Sequence, residues 1–139
     1  MAKILWIEDE ARSQLLEYLP PLMRAGHTID IVESASDGYT SLQDNFYDVV
    51  IFDLLIKAGD NPAMEGDLPG LMLLRKVFHS PITLSPQRVV VFTAVQKKVI
   101  IDEIKKMGVK RIKVKERMEK TKLKHYVDEV LKGQDYESA

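Results

Sequence analysis

The chain has 139 residues, 45% of them apolar, with 20 Lys/Arg against 21 Asp/Glu and no cysteine. That length suits one domain with a single sizeable core, and the missing cysteines exclude a disulfide framework and a thiolate metal site. The apolar runs fall far short of the roughly 20 residues that cross a bilayer, and residue 3 already begins a strand pattern with no secretion-signal regions before it, so a cytoplasmic domain without membrane contact is expected.

Apolar, β-rich runs fall at 3–8, 28–32, 48–53, 88–92 and 111–114, with stretches of helical spacing between them. The first run, Lys3-Ile4-Leu5-Trp6-Ile7, closes in Glu8-Asp9-Glu10. Leu15, Leu16, Leu19, Leu22 and Met23 then form a helical stripe. Pro20-Pro21 interrupts it, and because proline removes a backbone donor and clashes with the preceding turn, a kinked or split helix is expected. Gly26 reads as its stop.

Beyond the second run, Ala35, Tyr39, Leu42 and Phe46 predict the buried side of a weaker helix over 35–46. The third run, Tyr47-Asp48-Val49-Val50-Ile51-Phe52, closes in Asp53, with Asp48 structural at its entrance. Residues 56–69 contain Gly59, Pro62, Gly66 and Pro69. They predict a loop that is long for a compact α/β domain, and such loops tend to be functional or mobile. Asp60, Glu65 and Asp67 read as solvated, with the lesser alternative that one reaches over the acidic strand ends.

Leu71, Leu73, Leu74, Val77 and Phe78 form the next stripe. The fourth run, Arg88 to Phe92, ends in Thr93-Ala94. Val99, Ile100, Ile104 and Met107 follow, stopped by Gly108. The fifth run ends in Lys115, and Leu123, Val127, Val130 and Leu131 close the pattern. Strands reading Val-Val-Ile-Phe or Val-Val-Val-Phe are buried on both faces, which predicts a parallel sheet between helix layers in a (βα)5 arrangement.

Charge is lopsided: residues 1–70 carry four Lys/Arg against thirteen Asp/Glu, and residues 71–139 carry sixteen against eight. The basic density peaks at Lys105, Lys106, Lys110, Arg111, Lys113, Lys115, Arg117, Lys120, Lys122 and Lys124. A solvated face is the plain reading, and a docking surface for an acidic partner protein the sharper one. Nucleic acid is disfavoured because no aromatic residues interleave the charges.

Ligands of open parallel sheets bind beyond the carboxyl ends of the strands. Those ends here supply Glu8 and Asp9, Asp53, Thr93 and Lys115. Singly, each has an ordinary structural role: a carboxylate or a threonine caps helices, and a lysine decorates surfaces. Together, three acids that repel one another call for a cation between them. Mg2+ prefers oxygen and keeps several waters, so one or two carboxylates hold it: Asp9 and Asp53 directly, Glu8 through water. An ionised Asp53 can attack phosphorus, Lys115 can pair with one phosphoryl oxygen, Thr93 can hydrogen-bond another, and small Ala94 leaves the approach open. His27, His79 and His125 show no metal spacing.

Segments Lys3 to Glu10, Ala35-Ser-Asp-Gly38, Tyr47 to Leu54, Gly70 to Lys76, Val89 to Ala94 and Gly108 to Lys115 together resemble the receiver domain of two-component response regulators. The likeness spans roughly 3–132 and treats 1–139 as a single, stand-alone receiver with a long loop at about 55–69. It implies a flavodoxin-like (βα)5 three-layer sandwich with strand order 2-1-3-4-5. It also implies Asp53 as phosphoacceptor from a histidine kinase or histidine phosphotransfer protein, and Mg2+ held by Glu8, Asp9, Asp53 and the backbone carbonyl of Leu55. Thr93 and Lys115 would sense the phosphate, and the surface of the fourth helix, fifth strand and fifth helix would change its partner preference, with an unspecified downstream protein or a second copy as target.

Three positions depart from the family pattern. Ile112 stands where an aromatic switch residue is usual. Glu116 stands where a cis-proline usually follows the lysine, and a trans bond is expected because a cis bond without proline costs about 3 kcal/mol. The loop after Asp53 is about nine residues longer than family spacing. Leu55 and Val95, two positions beyond Asp53 and Thr93, cannot orient an attacking water, so slow self-dephosphorylation is expected. The alternative to a phospho-acceptor is a pseudo-receiver or adaptor that works only by binding. A haloacid-dehalogenase-type phosphatase would need an acid where Leu55 stands, and a nucleotide-binding domain would need a Gly-rich loop where Glu8-Asp9-Glu10 stands.

Overall fold

The computed structural model describes residues 2–79, 82, 84–115 and 121–138. Strands β1 (Lys3–Ile7), β2 (Thr28–Val32), β3 (Val49–Phe52), β4 (Val89–Thr93) and β5 (Arg111–Val114) alternate with helices α1 (Leu19–Arg24), α2 (Ala35–Asp44), α3 (Pro69–Phe78), α4 (Lys98–Lys106) and α5 (Lys122–Ser138). Every strand pair is parallel, in the order β2-β1-β3-β4-β5. This is the flavodoxin-like sandwich that the alternating runs and the family likeness imply.

Strand side chains alternate between the two faces. Leu5, Ile7, Val50, Phe52, Val89 and Val91 pack with residues of α2, α3 and α4, whereas Ile4, Trp6, Val49, Ile51, Val90 and Phe92 pack with residues of α1 and α5. All four residues of β3 are buried, which is why that central strand reads as a continuous apolar run. Trp6 is fully buried with its indole N–H unpartnered among the described residues, its ring 6.4 Å from that of Phe92 between centroids.

Pro20 and Pro21 split the stripe rather than kink it, one of the two outcomes expected. They lie in the first turn of α1, after a separate 3-10 turn at Leu16–Tyr18. Their missing N–H groups fall where a helix has no acceptors to offer anyway. Because the segment is not one continuous helix, its stripe breaks: Leu19 and Leu22 are buried, but Leu16 and Met23 are exposed. Phe46 is also exposed, since α2 ends at Asp44, and the Arg88 guanidinium covers its ring at 4.5 Å. Val99, in the first turn of α4, is 80% exposed. Gly26 and Gly108 sit past helix ends at φ +86° and +99°, as stop signals should.

The long segment between β3 and α3 is pinned rather than loose. Ser34 and Lys57 form an isolated parallel bridge. Ala35 N–H donates to the Lys57 carbonyl at 2.8 Å, Ser36 N–H to the Ala58 carbonyl at 2.9 Å, and Asn61 N–H to the Ser36 hydroxyl at 2.8 Å. Gly59 has φ +82°, and a Cβ there would lie 2.7 Å from Ser36 Cβ, so this crossing admits glycine only. Ile56 and Met64 are buried beneath the strap, while Asp60, Glu65 and Asp67 are exposed.

Asp48 accepts the Lys3 N–H at 2.8 Å, a structural role at the entrance of β3. His27 Nδ1 accepts the Ala2 N–H at 3.2 Å, and burial lowers its pKa. His125 lies 3.3 Å from Glu129, and His79 is exposed after α3. No helix among the described residues is long and apolar enough to cross a membrane.

Candidate functional site

Four strand ends converge at the carboxyl edge of the sheet. Glu8 follows β1, Asp53 follows β3, Thr93 closes β4 and Lys115 follows β5. The Lys115 ammonium stands 2.9 Å from Asp53 Oδ2 and 2.5 Å from Glu8 Oε1. Thr93 donates its hydroxyl hydrogen to Asp53 Oδ1 at 3.0 Å and accepts the Val95 N–H at 3.2 Å. Leu55 N–H donates to the same Asp53 oxygen at 3.3 Å. Each carboxylate oxygen of Asp53 therefore has its own donor, as a charge-assisted arrangement requires.

Thr93 is not the cap of the next helix. The residue before α4 is Lys97, which makes no side-chain cap. Asp53 and Thr93 are buried, and Ala94 beside them is exposed. Glu8 is fully buried. Burial and then the Asp53 charge push its carboxyl up to about 8, against the lowering pull of Lys115. For Lys115, burial alone would lower the pKa, but the charges of Asp53 and Glu8 override it and raise the ammonium above its usual range.

Carboxylate oxygens of Glu8, Asp9 and Glu10 lie within 4.8 Å of one another. Hard oxygen donors at that spacing fit a hydrated Mg2+. Glu8 Oε1 is buried and paired with the Lys115 ammonium at 2.5 Å. The observation favouring a metal ion is the donor set itself, three carboxylates gathered within one ion's reach. Glu10 was not among the ligands expected from the sequence, although its place in the Glu8-Asp9-Glu10 tripeptide is the signal for it. Asp53 lies outside the trio and is joined to Glu8 through Lys115. The Leu55 side chain is exposed.

Gly70, in the first turn of α3, presses against the acceptor. A Cβ there would lie 1.9 Å from the Asp53 carbonyl oxygen, and its N–H donates to the Leu54 carbonyl at 2.9 Å. Sequence reading missed this contact, because only the fold brings residue 70 to residue 53. Ile112, at the usual aromatic position, is half-buried against the core face shared with α4. The Lys115–Glu116 peptide, and with it Arg117, Met118 and Lys120, lies outside the described residues.

No family model matches the chain. No curated protein matches it either. Solved structures do. A CheY-like response regulator receiver domain protein from Methanospirillum hungatei superposes with a TM-score of 0.78 at 20% identity, covering 99% of this chain and 98% of its own. A two-component response regulator from Clostridium difficile gives 0.74 at 19%, covering 95% and 97%. The Francisella response regulator 1452 receiver domain gives 0.74 at 17%, covering 96% and 99%. The chain has the receiver fold along nearly its whole length.

Proposed function

We propose that this receiver fold serves as a phospho-accepting signalling domain. Asp53 takes a phosphoryl group from the phosphohistidine of a histidine kinase or histidine phosphotransfer protein. An Asp53 oxygen attacks phosphorus, the N–P bond breaks, and the imidazole leaves with its electron pair. The observation that carries the reading is the buried Asp53 carboxylate, held on one oxygen by Thr93 and on the other by Lys115. Such transfers need positioning and charge stabilisation more than covalent chemistry.

Once the acceptor carries the phosphoryl group as an acyl phosphate, the Thr93 hydroxyl and the Lys115 ammonium would follow phosphoryl oxygens in its stead. Glu8, Asp9 and Glu10 would hold Mg2+ with help from Asp53 and the Leu55 carbonyl, and the ion would supply neutralisation of the charge that develops on the phosphoryl group. The chain acts on no substrate other than itself and works through protein contacts, with Ile112 standing where the usual aromatic switch residue would be.

The test is incubation with acetyl phosphate and Mg2+ followed by intact mass. Gain of one phosphate, absent in Asp53→Asn, is expected. An unchanged mass decides for a binding-only adaptor.

A further inference from the structure

Helix α2 is capped by Ser34, whose hydroxyl accepts the Asp37 N–H at 3.1 Å. A serine two residues further on has no capping work left, and inside a helix its hydroxyl ordinarily competes with the backbone. Ser36 sends that hydroxyl across to the β3–α3 strap instead. It donates to the Ala58 carbonyl at 2.5 Å and accepts the Asn61 N–H at 2.8 Å, while the Ser36 N–H donates to the same Ala58 carbonyl at 2.9 Å. Gly59 lies between these contacts, where a Cβ would stand 2.7 Å from both the Cβ and the hydroxyl of Ser36. One buried serine thus rivets residues 58–61 to the start of α2.

What the rivet fixes is the path of Leu55. The Leu54 carbonyl is held from one side by the Gly70 N–H at 2.9 Å, and the Lys57 and Ala58 carbonyls are held from the other by Ala35 and Ser36. Only Leu55 and Ile56 lie between, and Ile56 is buried. Two residues between fixed ends have little play, since each spans at most about 3.6 Å.

Both main-chain groups of Leu55 bear on the acceptor. Its N–H donates to Asp53 Oδ1 at 3.3 Å. Nothing among the described residues donates to its carbonyl, so that oxygen remains available as a hard donor two residues from Asp53. Mg2+ tolerates little departure from octahedral geometry, and the groups that hold a metal's ligands in place matter nearly as much as the ligands.

We propose that Ser36 is a positioning residue of the acceptor site. Through the strap it sets the Leu55 main chain, whose N–H steadies Asp53 and whose carbonyl would complete the donor set around Mg2+. This deepens the phosphoacceptor reading and rests on it. It also gives the lengthened loop a task, because the segment that exceeds family spacing is the one that reaches across to α2.

The test is calorimetric titration of MgCl2 into the unphosphorylated full chain, with urea midpoints measured on the same samples. Ser36→Ala keeps a good helix former in α2 and removes only the hydroxyl. Its Mg2+ affinity is expected to fall about tenfold, the low end of what outer-shell partners contribute. Gly59→Ala, which forces the same crossing apart from the strap side, should weaken Mg2+ in the same direction. Met64→Ala is the control: it opens a cavity beneath the strap and leaves the Ser36 contacts in place, so stability should drop while Mg2+ affinity stays within about twofold of wild type.

Wild-type affinity in Ser36→Ala overturns the proposal. So does a loss in Met64→Ala as large as that in Ser36→Ala, since affinity would then follow stability rather than the rivet. A wild-type chain that takes up no Mg2+ overturns the cation reading itself and this proposal with it, an outcome visible before any variant is made. The phosphoacceptor reading is judged apart from all of these, by the mass gained from acetyl phosphate.

Discussion

Lys115 lies 2.9 Å from Asp53 and holds it, through the same ammonium, to the buried Glu8. One cation thus serves two carboxylates, and each prediction about the bare site starts from that sharing.

Lys115→Met leaves two buried acids facing each other. Removing one member of a buried ionic group costs about 3–5 kcal/mol, and a loss at the lower end is expected in chelator because Glu8 can take a proton. Millimolar Mg2+ should restore part of it by filling the same electrostatic role. Urea unfolding with and without MgCl2 measures both, and an equal midpoint for variant and wild type would refute the shared-cation account.

Glu8 is raised from 4.5 to about 8 in the fold. Between those values the folded chain binds more proton than the unfolded chain, so stability falls as pH rises. Its contribution is fully present below pH 4.5 and is lost as pH passes through about 8. Glu8→Gln cannot lose a proton, and its melting temperature in EDTA should exceed that of wild type by a growing margin from pH 5 to pH 8. Parallel melting curves across that range would contradict the burial of an acid that Lys115 only partly compensates.

Leu55 and Val95 flank the acceptor with no polar group to orient water. Phosphorylated chain should keep its phosphate for minutes or longer. Leu55→Asn, on an exposed side chain, should shorten that lifetime by about tenfold or more, below the 10²–10⁴ of a fully positioned general base. Phosphate lost from wild type within seconds, or an unaltered lifetime in the variant, would end this expectation.

Gly70→Ala drives a methyl group into the Asp53 carbonyl oxygen, 1.9 Å from where its Cβ must go. Overpacking of this kind costs about 1–3 kcal/mol. The folded fraction should also take phosphate from acetyl phosphate more slowly, since the displaced atom is the acceptor's own backbone. A normal rate in the folded variant would show that the strand end tolerates movement.

Met64→Ala tests the strap between β3 and α3. Met64 is fully buried, and truncating it should cost about 2–4 kcal/mol, where a solvated loop residue would cost almost nothing. Denaturation midpoints separate the two.

The sheet was legible because each strand is an apolar run bounded by charge, and the site because parallel strands end on one edge. Three misread positions share a cause. Leu16, Met23 and Phe46 fit helical spacing, but their burial depends on where each helix starts and stops: two prolines reset α1, and α2 ends before Phe46. The strap looked loose because its glycines and prolines mark turns, whereas its order comes from the Ser36 hydroxyl and from Met64 entering the core. The full burial of Glu8 was not legible, since strand-end position brings residues 8 and 115 to one edge without fixing how far neighbouring elements cover either.

Trp6 gives the chain a built-in optical reporter. It is the single indole in the sequence, it is shut away from solvent, and its strand leads straight into Glu8. Emission at short wavelength from the native chain, moving red as β1 opens, would let melting, metal uptake and phosphate gain be followed in one cuvette without a label.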